Sequence, residues 1–499
     1  MKISLKASKI SQLDVDSLNL FFWENELEKS LRDIPTGLIS LIKEAEKREE
    51  FKGGRDEILI LSSKGLISSY KLILTGLGKK NDFNRAVLAE QVAKSIRKSK
   101  ENKAVRVGLV LSDDGFNKLG VKNAVQTIVE AVFLSTYRFL KYKSEEERNK
   151  IREIEEVIVA VSPGRLSLAE EGIDIGKSMS IAALYARDLV NEPSQVTTPT
   201  FLADEAIRLG KNSQGLLKVT VLDKEEIEKL GMNSFLGVAK GSDEPPKFII
   251  LKYKPARPKK KLVIIGKGIT FDTGGLSLKP AEHMETMKLD MAGAASILGI
   301  FSAFPSFKPS VEVVGLIAAC ENMPSGKALK PGDILKALNG KTIEVLNTDA
   351  EGRLTLADAL SYAVKQEKPD EIIDLATLTG ACQVALGQDI AGLFGNNESL
   401  LHSLERASKE TGEQVWRMPL SEQYKELNKS KIADIKNIQT GRYGGAITAA
   451  LFLQEFVGTT AWAHLDIAGP AYIEKDTPLT PTGGAGFGVR LVLHYINTL

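Results

Sequence analysis

The sequence predicts an α/β protein: a smaller N-terminal α/β domain joined by a helix to a larger C-terminal α/β domain, whose central mixed sheet is covered by helices on both faces. The 499 residues exceed the size at which one hydrophobic core usually keeps growing. Hydrophobic residues make up 43% and charged residues 26% of the chain, as in ordinary globular proteins. Short apolar runs alternate with longer helical patterns throughout, which is typical of α/β folds.

We place the N-terminal domain at residues 1–163. Strand-like and helical runs alternate within it at 57–61, 86–99, 105–111 and 124–140. The charge-rich run 141–156 predicts a solvated helix face. A strand at 157–161 then ends at the turn-forming sequence Ser-Pro-Gly, which marks the domain boundary.

The second domain, residues 164–499, begins with a connecting helix at about 166–189, which Asn-Glu-Pro at 191–193 ends. Nearly continuous apolar runs predict strands buried on both faces, at 248–253, 262–265, 311–319, 372–375 and 461–467. Ligands of such sheets bind beyond the carboxyl ends of the strands. We expect Lys267 and Asp272 directly after one strand, and residues 377–380 directly after another.

Bulk charge, cysteine content and the length of the apolar runs argue against several function classes. The net charge of +2 gives no electrostatic field for nucleic acid, so we expect no nucleic-acid partner. Both cysteines, Cys320 and Cys382, lie in apolar surroundings, which predicts buried free thiols and a cytoplasmic protein. No uncharged apolar run approaches the ~20 residues that span a bilayer, so we expect no membrane partner.

Three common site motifs are absent. The glycine-rich run 266–275 has Phe271 where a dinucleotide-binding fingerprint needs its third glycine. The run 172–178 is one residue short of a phosphate-binding P-loop and lies in a helical pattern. The four histidines are too scattered for a histidine-rich zinc site.

The segment 347–354, Asn-Thr-Asp-Ala-Glu-Gly-Arg-Leu, sets two acids and an arginine at every second position. In an extended segment Asp349, Glu351 and Arg353 would point to one side, an arrangement that suits a metal and an anion. The alternative is a polar turn that caps a helix predicted at 354–366.

Four carboxylates, those of Asp272, Asp290, Asp349 and Glu351, lie at the ends of predicted elements in glycine-rich surroundings. Their four negative charges would need compensation if buried, and two divalent cations would supply it. The set is therefore what a two-metal site requires. Spacing alone leaves open that these are separate surface acids.

With these residues in view, segment 347–354 resembles, without departure, the signature of the leucyl aminopeptidase family, the M17 cytosolic aminopeptidases. Further segments resemble that family's in the same order: 191–193 with 198–199, 266–275, 287–292, 374–380 and 486–490. The resemblance covers about residues 180–499. The preceding part agrees with the family in size and α/β pattern.

The resemblance implies a ligand set for two divalent metal ions, Mn²⁺ or Zn²⁺, formed by Lys267, Asp272, Asp290, Asp349 and Glu351. Asp272 and Glu351 would bridge the ions, and the main-chain carbonyl of Asp349 would also bind. A lysine that binds a metal must be neutral, so we expect a strongly depressed pKa for Lys267.

The resemblance also makes Lys279 and Arg353 the catalytic pair, with a bicarbonate ion held by Arg353 as the proton shuttle. It implies a pocket for the substrate's first side chain, lined by Met287, Thr377, Leu378, Gly380 and Ala468. The helical spacing of Met284, Met287 and Met291 could by itself indicate core packing instead.

The expected activity is hydrolysis of the N-terminal residue of peptides, preferably leucine or another apolar residue, by a hydroxide that bridges two metals. The resemblance further implies a homohexamer in which the N-terminal domain serves assembly or regulation. Two rival functions are nucleic-acid binding or assembly by the same fold, and two-metal phosphoryl transfer, which also uses clustered aspartates.

Overall fold

The computed structural model describes residues 1–7, 10–27, 34–439, 441 and 443–499. These residues form two compact units. The first comprises Met1–Ile181 with Lys475–Pro481, and the second comprises Ala182–Glu474 with Thr482–Leu499. Our division after residue 163 assigns the whole connecting helix to the second domain, whereas the compact units divide that helix between Ile181 and Ala182.

The first unit contains a six-stranded sheet. Its strands are β1 (Lys2–Lys6), β2 (Ser17–Trp23), β3 (Ile58–Ser62), β4 (Lys71–Gly78), β5 (Arg106–Val110) and β6 (Glu156–Ala160). Their order is β1-β6-β5-β2-β4-β3, and every neighbouring pair is parallel except β3 with β4. The helices are α1 (Thr36–Lys47), α2 (Arg85–Glu101), α3 (Asp113–Leu119), α4 (Val121–Thr136), α5 (Glu145–Asn149) and the part of α6 (Leu166–Asn191) that precedes Ala182.

Helices pack on both faces of this first sheet because successive residues of β2 alternate between two cores. Phe21 and Trp23 pack in the core that α2 and α4 share, whereas Leu20 and Phe22 pack in the core of α1. The charged run 141–156 is exposed over residues 141–150, but only α5 is helical there. The long helix predicted for that run is therefore wrong.

The second unit contains an eight-stranded mixed sheet and two small sheets. Its strands are β7 (Leu217–Leu222), β8 (Lys247–Tyr253), β9 (Lys261–Asp272), β10 (Glu312–Asn322), β11 (Ile334–Lys336), β12 (Thr342–Glu344), β13 (Glu371–Ala376), β14 (Ile390–Gly395), β15 (Gln414–Arg417), β16 (Ile435–Lys436), β17 (Ala461–Asp466), β18 (Tyr472–Ile473) and β19 (Gly483–Gly484). The large sheet has the order β15-β14-β17-β13-β9-β10-β8-β7. Its four central strands, β17, β13, β9 and β10, are parallel.

The helices of the second unit cover both faces of the large sheet, as predicted. They are α7 (Pro199–Asn212), α8 (Lys224–Leu230), α9 (Asn233–Ala239), α10 (Ala281–Met284), α11 (Ala292–Phe307), α12 (Gly352–Tyr362), α13 (Gly380–Leu386), α14 (Glu398–Thr411), α15 (Gly445–Gln454) and α16 (Val489–Asn497). Val263 and Ile265 of β9 pack in one core with α9, α12 and α15. Gly266, on the opposite face, lies against Gly293 of α11.

One stretch of the described residues, Ala281–Phe307, is long and apolar enough to cross a membrane by length and composition. It comprises α10, a 3-10 helix at Met287–Met291 and α11, and most of its apolar window is buried inside the second unit. Such burial is typical of a core helix.

Candidate metal centre

The buried ammonium of Lys267 joins three elements at the carboxyl edge of the large sheet. Lys267 lies in β9, and its Nζ donates to Asp290 Oδ1 at 2.7 Å and to the carbonyl of Thr377 at 2.9 Å. Glu351 Oε1 lies 2.9 Å from the same nitrogen. Asp290 is carried by the 3-10 helix before α11, and Glu351 is the residue before α12. Residues far apart in sequence therefore meet at one point.

A second lysine joins the other two acids. Lys279 Nζ lies 2.9 Å from Asp272 Oδ2 and forms an ion pair with Asp349 Oδ1. Asp272 is the last residue of β9, where its Oδ1 also accepts the backbone N–H of Gly274 at 2.9 Å. The structure thus brings together all five residues predicted as metal ligands. Lys267 and Asp272 lie within β9 rather than after a strand, because β9 keeps pairing with β10 beyond the apolar run.

The donor set fits divalent cations. Oxygen atoms of Asp272, Asp290 and Glu351 all lie within 4.8 Å of one another, and all three residues are buried. Within the residues that the structure describes, Asp290 Oδ2 is buried without a hydrogen-bond partner. Carboxylate oxygens suit Mg²⁺ and Mn²⁺, and a mixed set that includes nitrogen also suits Zn²⁺. A buried carboxylate oxygen without a partner is costly, and a cation would remove that cost.

Burial and mutual repulsion strongly shift the pKa values of the clustered acids. Burial, aided by the charge of Glu351, raises the pKa of Asp272 to about 6. Burial likewise raises the pKa of Asp290 well above its usual value. For Glu351 burial acts in the same direction, but the nearby ammonium of Lys267 outweighs it and lowers the pKa. Strong shifts in one buried cluster are typical of functional sites.

The pKa of Lys267 shifts in the opposite direction from the one predicted for a metal-bound amine. Burial alone would lower the pKa of Lys267, but the carboxylates of Asp290, Glu351 and Asp272 outweigh burial and raise it. The pKa of Lys279 is raised in the same way, and the carboxylate of Asp272 contributes most to that rise. These carboxylates by themselves therefore favour the ammonium form of both side chains. A cation that binds Lys267 would have to displace its proton.

Two glycines make this close approach sterically feasible. A Cβ on Gly352 would lie 2.4 Å from Lys267 Cε, so any larger residue at the start of α12 would expel the lysine. Gly274 has φ of +84°, and a Cβ there would lie 2.5 Å from the carbonyl oxygen of Ser277. At these two positions, neighbouring atoms occupy the space that a Cβ would need. This close packing explains why glycine stands there.

The alternation predicted for residues 349, 351 and 353 is wrong. Asp349 lies in a turn, Glu351 already has helical dihedral angles (φ −85°, ψ −37°), and Arg353 is in the first turn of α12. Residues i and i+2 of a helix do not face the same side. Arg353 accordingly donates from Nη1 to the carbonyl of Asn437 at 2.8 Å. The alternative of a polar turn before a helix describes the local structure.

Arg353 is a buried cation with unused hydrogen-bonding capacity. Among the described residues its Nε is buried without a hydrogen-bond partner, and its side chain lies within electrostatic range of Glu351 and Asp466. Burial lowers the pKa of Arg353 to about 10. An unpartnered N–H on a buried guanidinium is a suitable donor for a small planar anion.

The predicted pocket residues lie around the same edge. Thr377 directly follows β13, and its hydroxyl donates to Asp290 Oδ1 at 2.7 Å. Leu378 is half-buried in the same loop, and Gly380 is the first residue of α13. Ala468 follows β17 and is half-buried. Met287 is half-buried at the start of the 3-10 helix that carries Asp290, so Met284 and Met287 do not share one continuous helix.

Sequence reasoning missed two polar residues that hold the acids in place. Asn322, the last residue of β10, donates from Nδ2 to Asp272 Oδ1 at 2.8 Å and to the carbonyl of Thr348 at 3.0 Å. Thr348 donates its hydroxyl to the carbonyl of Gly274 at 2.6 Å. The position of Asn322 at the end of a buried strand was the available signal, since parallel strand ends meet at one edge.

Comparison with known proteins gives a consistent result. The model of the cytosol aminopeptidase family's catalytic domain matches residues 184–493, and the model of its N-terminal domain matches residues 20–146. A probable cytosol aminopeptidase of Alkaliphilus oremlandii (strain OhILAs) is 42% identical over 100% of both chains. That of Aquifex aeolicus (strain VF5) is 44% identical over 99% of this chain and 98% of the relative.

Two solved structures extend the comparison to the fold. A mutant of tomato leucine aminopeptidase is 35% identical, covers 100% of this chain and 97% of that one, and superposes with a TM-score of 0.89. The bottromycin maturation enzyme BotP in complex with Mn is 31% identical, with 97% of this chain and 99% of that one covered and a TM-score of 0.85.

Proposed function

Because the chain belongs to the cytosol aminopeptidase family and is thus a metal-dependent aminopeptidase, we propose the finer features of its reaction. It removes the N-terminal residue of peptides, preferably leucine or another apolar residue, with a hydroxide that bridges two metals as the nucleophile. The observation that carries the proposal is the convergence of Lys267, Asp290 and Glu351 with Asp272 at the carboxyl edge of the sheet.

Two divalent cations, Mn²⁺ or Zn²⁺, would be held by Lys267, Asp272, Asp290, Asp349 and Glu351. The close oxygens of three of these acids support this ligand set, and one similar solved structure contains Mn. When bound, the cations would lower the pKa of a shared water toward neutrality and polarise the peptide carbonyl. The chain's own contribution is to hold the ligands at one point, through Asn322 on Asp272 and Thr377 on Asp290.

Lys279 would stabilise the negative charge that develops on the peptide carbonyl oxygen. Its ammonium lies between Asp272 and Asp349, and these acids raise its pKa, so it is protonated at neutral pH. A fixed cation in a partly buried site acts strongly on a developing oxyanion.

Arg353 would hold a bicarbonate ion that accepts the proton of the attacking water and passes it on. The Nε of this buried guanidinium, which has no hydrogen-bond partner in the described part of the chain, supports such a role. Arginine binds planar anions through a fixed fork of donors, which lysine lacks. The proton would thus move without a histidine or a further carboxylate.

The substrate's first side chain would enter a pocket lined by Met287, Thr377, Leu378, Gly380 and Ala468. Methionine and leucine supply adaptable apolar walls, and glycine and alanine leave room. Such a pocket discriminates modestly among apolar side chains, because one methylene changes binding by only about 1–3 kcal/mol. The preference for leucine would therefore be graded.

We further propose a cytoplasmic homohexamer in which the N-terminal domain, residues 1–163, serves assembly or regulation. Relatives that match over the full length are named cytosol aminopeptidases, and Cys320 and Cys382 are buried free thiols. Light scattering should give six times the chain mass. A monomer or dimer at micromolar concentration would contradict the assembly proposed.

Metal removal tests the central proposal. Dialysis against a chelator should lower hydrolysis of leucyl anilide at least ~100-fold, because the nucleophile and the polarising charge are both lost. Added Mn²⁺ or Zn²⁺ should restore it, with two ions bound per chain by metal analysis. Full activity in a metal-free sample would refute the two-metal site. Cleavage of a phosphate ester in place of leucyl anilide would favour phosphoryl transfer.

A further inference from the structure

Asp466, the last residue of β17, is a buried acid without a role in the reaction proposed above. Its Oδ1 accepts the backbone N–H groups of Leu378 and Ala468, both at 3.2 Å, and that of Thr379 at 3.4 Å. Its Oδ2 accepts the hydroxyl of Thr379 at 2.7 Å. The residue is only 1% exposed. Donors of the protein therefore satisfy this carboxylate in place of water.

These donors belong to two separate backbone segments. Leu378 and Thr379 lie in the loop between β13 and α13, whereas Ala468 follows β17, the parallel neighbour of β13. Thr379 also caps α13, because its hydroxyl accepts the N–H of Cys382 at 3.1 Å. One carboxylate thus fixes the separation of two segments that each carry residues of the proposed pocket.

We propose that Asp466 is a positioning residue that sets the width of the pocket for the substrate's first side chain, and with it the preference among N-terminal residues. The inference rests on the proposed function, from which it takes the pocket. The metal ligands have separate supports in this loop, since Thr377 accepts from Lys267 and donates to Asp290. Loss of Asp466 should therefore loosen the pocket more than the metal site.

The test compares kcat/KM for leucyl and alanyl anilides in Asp466→Ala. The leucyl-to-alanyl ratio should fall about tenfold, mainly through a higher KM for the leucyl substrate, because close packing of the larger side chain is lost. Two metal ions per chain should remain. Asp466→Asn keeps an acceptor for the N–H groups and should give an intermediate ratio.

Asp358→Ala is the matched control. Asp358 is also a buried acid that accepts two backbone N–H groups, from Phe235 at 2.9 Å and Leu338 at 2.7 Å, but neither group belongs to the pocket. This variant loses comparable hydrogen bonds and should keep the wild-type ratio. Thr379→Val removes the hydroxyl that donates to Asp466 and accepts from the N–H of Cys382, so a smaller fall of the ratio is expected even if Asp466→Ala does not fold.

An unchanged ratio in Thr379→Val, or in folded and metal-loaded Asp466→Ala, overturns the inference and leaves the proposed function intact. Loss of metal from Asp466→Ala also overturns it, because Asp466 would then support the metal site. A wild-type protein inactive on every aminoacyl anilide would overturn the proposed function, and the inference with it.

Discussion

The two sheets of this chain bury polar side chains in different ways. In the first unit Asn19 of β2 donates to the hydroxyls of Ser95 and Ser99 at 2.6 and 2.9 Å and accepts from Ser17 at 2.8 Å. This cluster is neutral, and its members satisfy one another. The second sheet instead gathers four acids and two lysines at one edge, and the described residues leave Asp290 Oδ2 without a hydrogen-bond partner.

The difference separates a structural polar cluster from a functional one. Neutral groups that pair completely stabilise a core at little cost, whereas clustered charges must be desolvated and repel one another. The raised pKa values of Asp272 and Asp290 express that cost. A fold tolerates such a cost chiefly where a ligand or a reaction compensates it.

The largest expected effect is a loss of turnover, which should distinguish two lysines, one from each unit. Lys279→Ala should lower kcat about 10²–10³-fold, the usual loss when one oxyanion donor is removed. The matched change is Lys71→Ala in the first unit, where Nζ donates to the carbonyl of Asn102 at 2.9 Å. Steady-state kinetics of the Lys71 variant should match wild type. Wild-type turnover in the Lys279 variant would remove that residue from the reaction.

Substitution by alanine at two buried asparagines, Asn322 in the second unit and Asn19 in the first, sharpens the comparison further. Asn322→Ala removes the donor that orients Asp272 and the carbonyl of Thr348, so activity or metal affinity should fall about 10–100-fold. Metal titration followed by anilide kinetics measures both quantities. If metal affinity and kcat both stay at wild-type values, Asn322 is only a packing residue.

Sequence reasoning succeeded where the deciding interactions are local and failed where they are not. Apolar runs such as 248–253 and 372–375 became β8 and β13 because burial on both faces demands them. The alternation of Asp349, Glu351 and Arg353 fits a strand and a helix start equally well, and only tertiary packing selects the helix. Asn322 was missed because its partner Asp272 lies 50 residues away in sequence.

In the first unit, the substitution that corresponds to Asn322→Ala should lower the free energy of unfolding and leave turnover unchanged. Asn19→Ala leaves the hydroxyls of Ser17, Ser95 and Ser99 without their shared partner, which should cost about 1–3 kcal/mol of unfolding free energy. Urea unfolding measures the cost. Turnover per folded molecule should match wild type, and a selective loss of turnover would mean that the neutral cluster also serves the reaction.

A pH-dependent effect tests whether a buried acid outside the metal centre behaves like those within it. Burial raises the pKa of Asp358 to about 7, although it accepts backbone N–H groups from Phe235 and Leu338. The carboxyl of an unfolded aspartate has a pKa of about 3.9. Between these values the folded state binds the extra proton, so this stabilising contribution is complete below about pH 4 and is lost as pH rises through about 7.

Asp358→Asn removes the titration without a large change of shape. Urea unfolding of both metal-free proteins between pH 5 and 8 should show the wild type losing stability relative to the variant as pH rises. A difference that is constant across this range would mean that the N–H donors hold the carboxylate ionised. The backbone N–H groups alone would then compensate the charge of Asp358. Among the buried acids of the second unit compared here, a raised pKa would then be a property of the metal centre and not of burial in general.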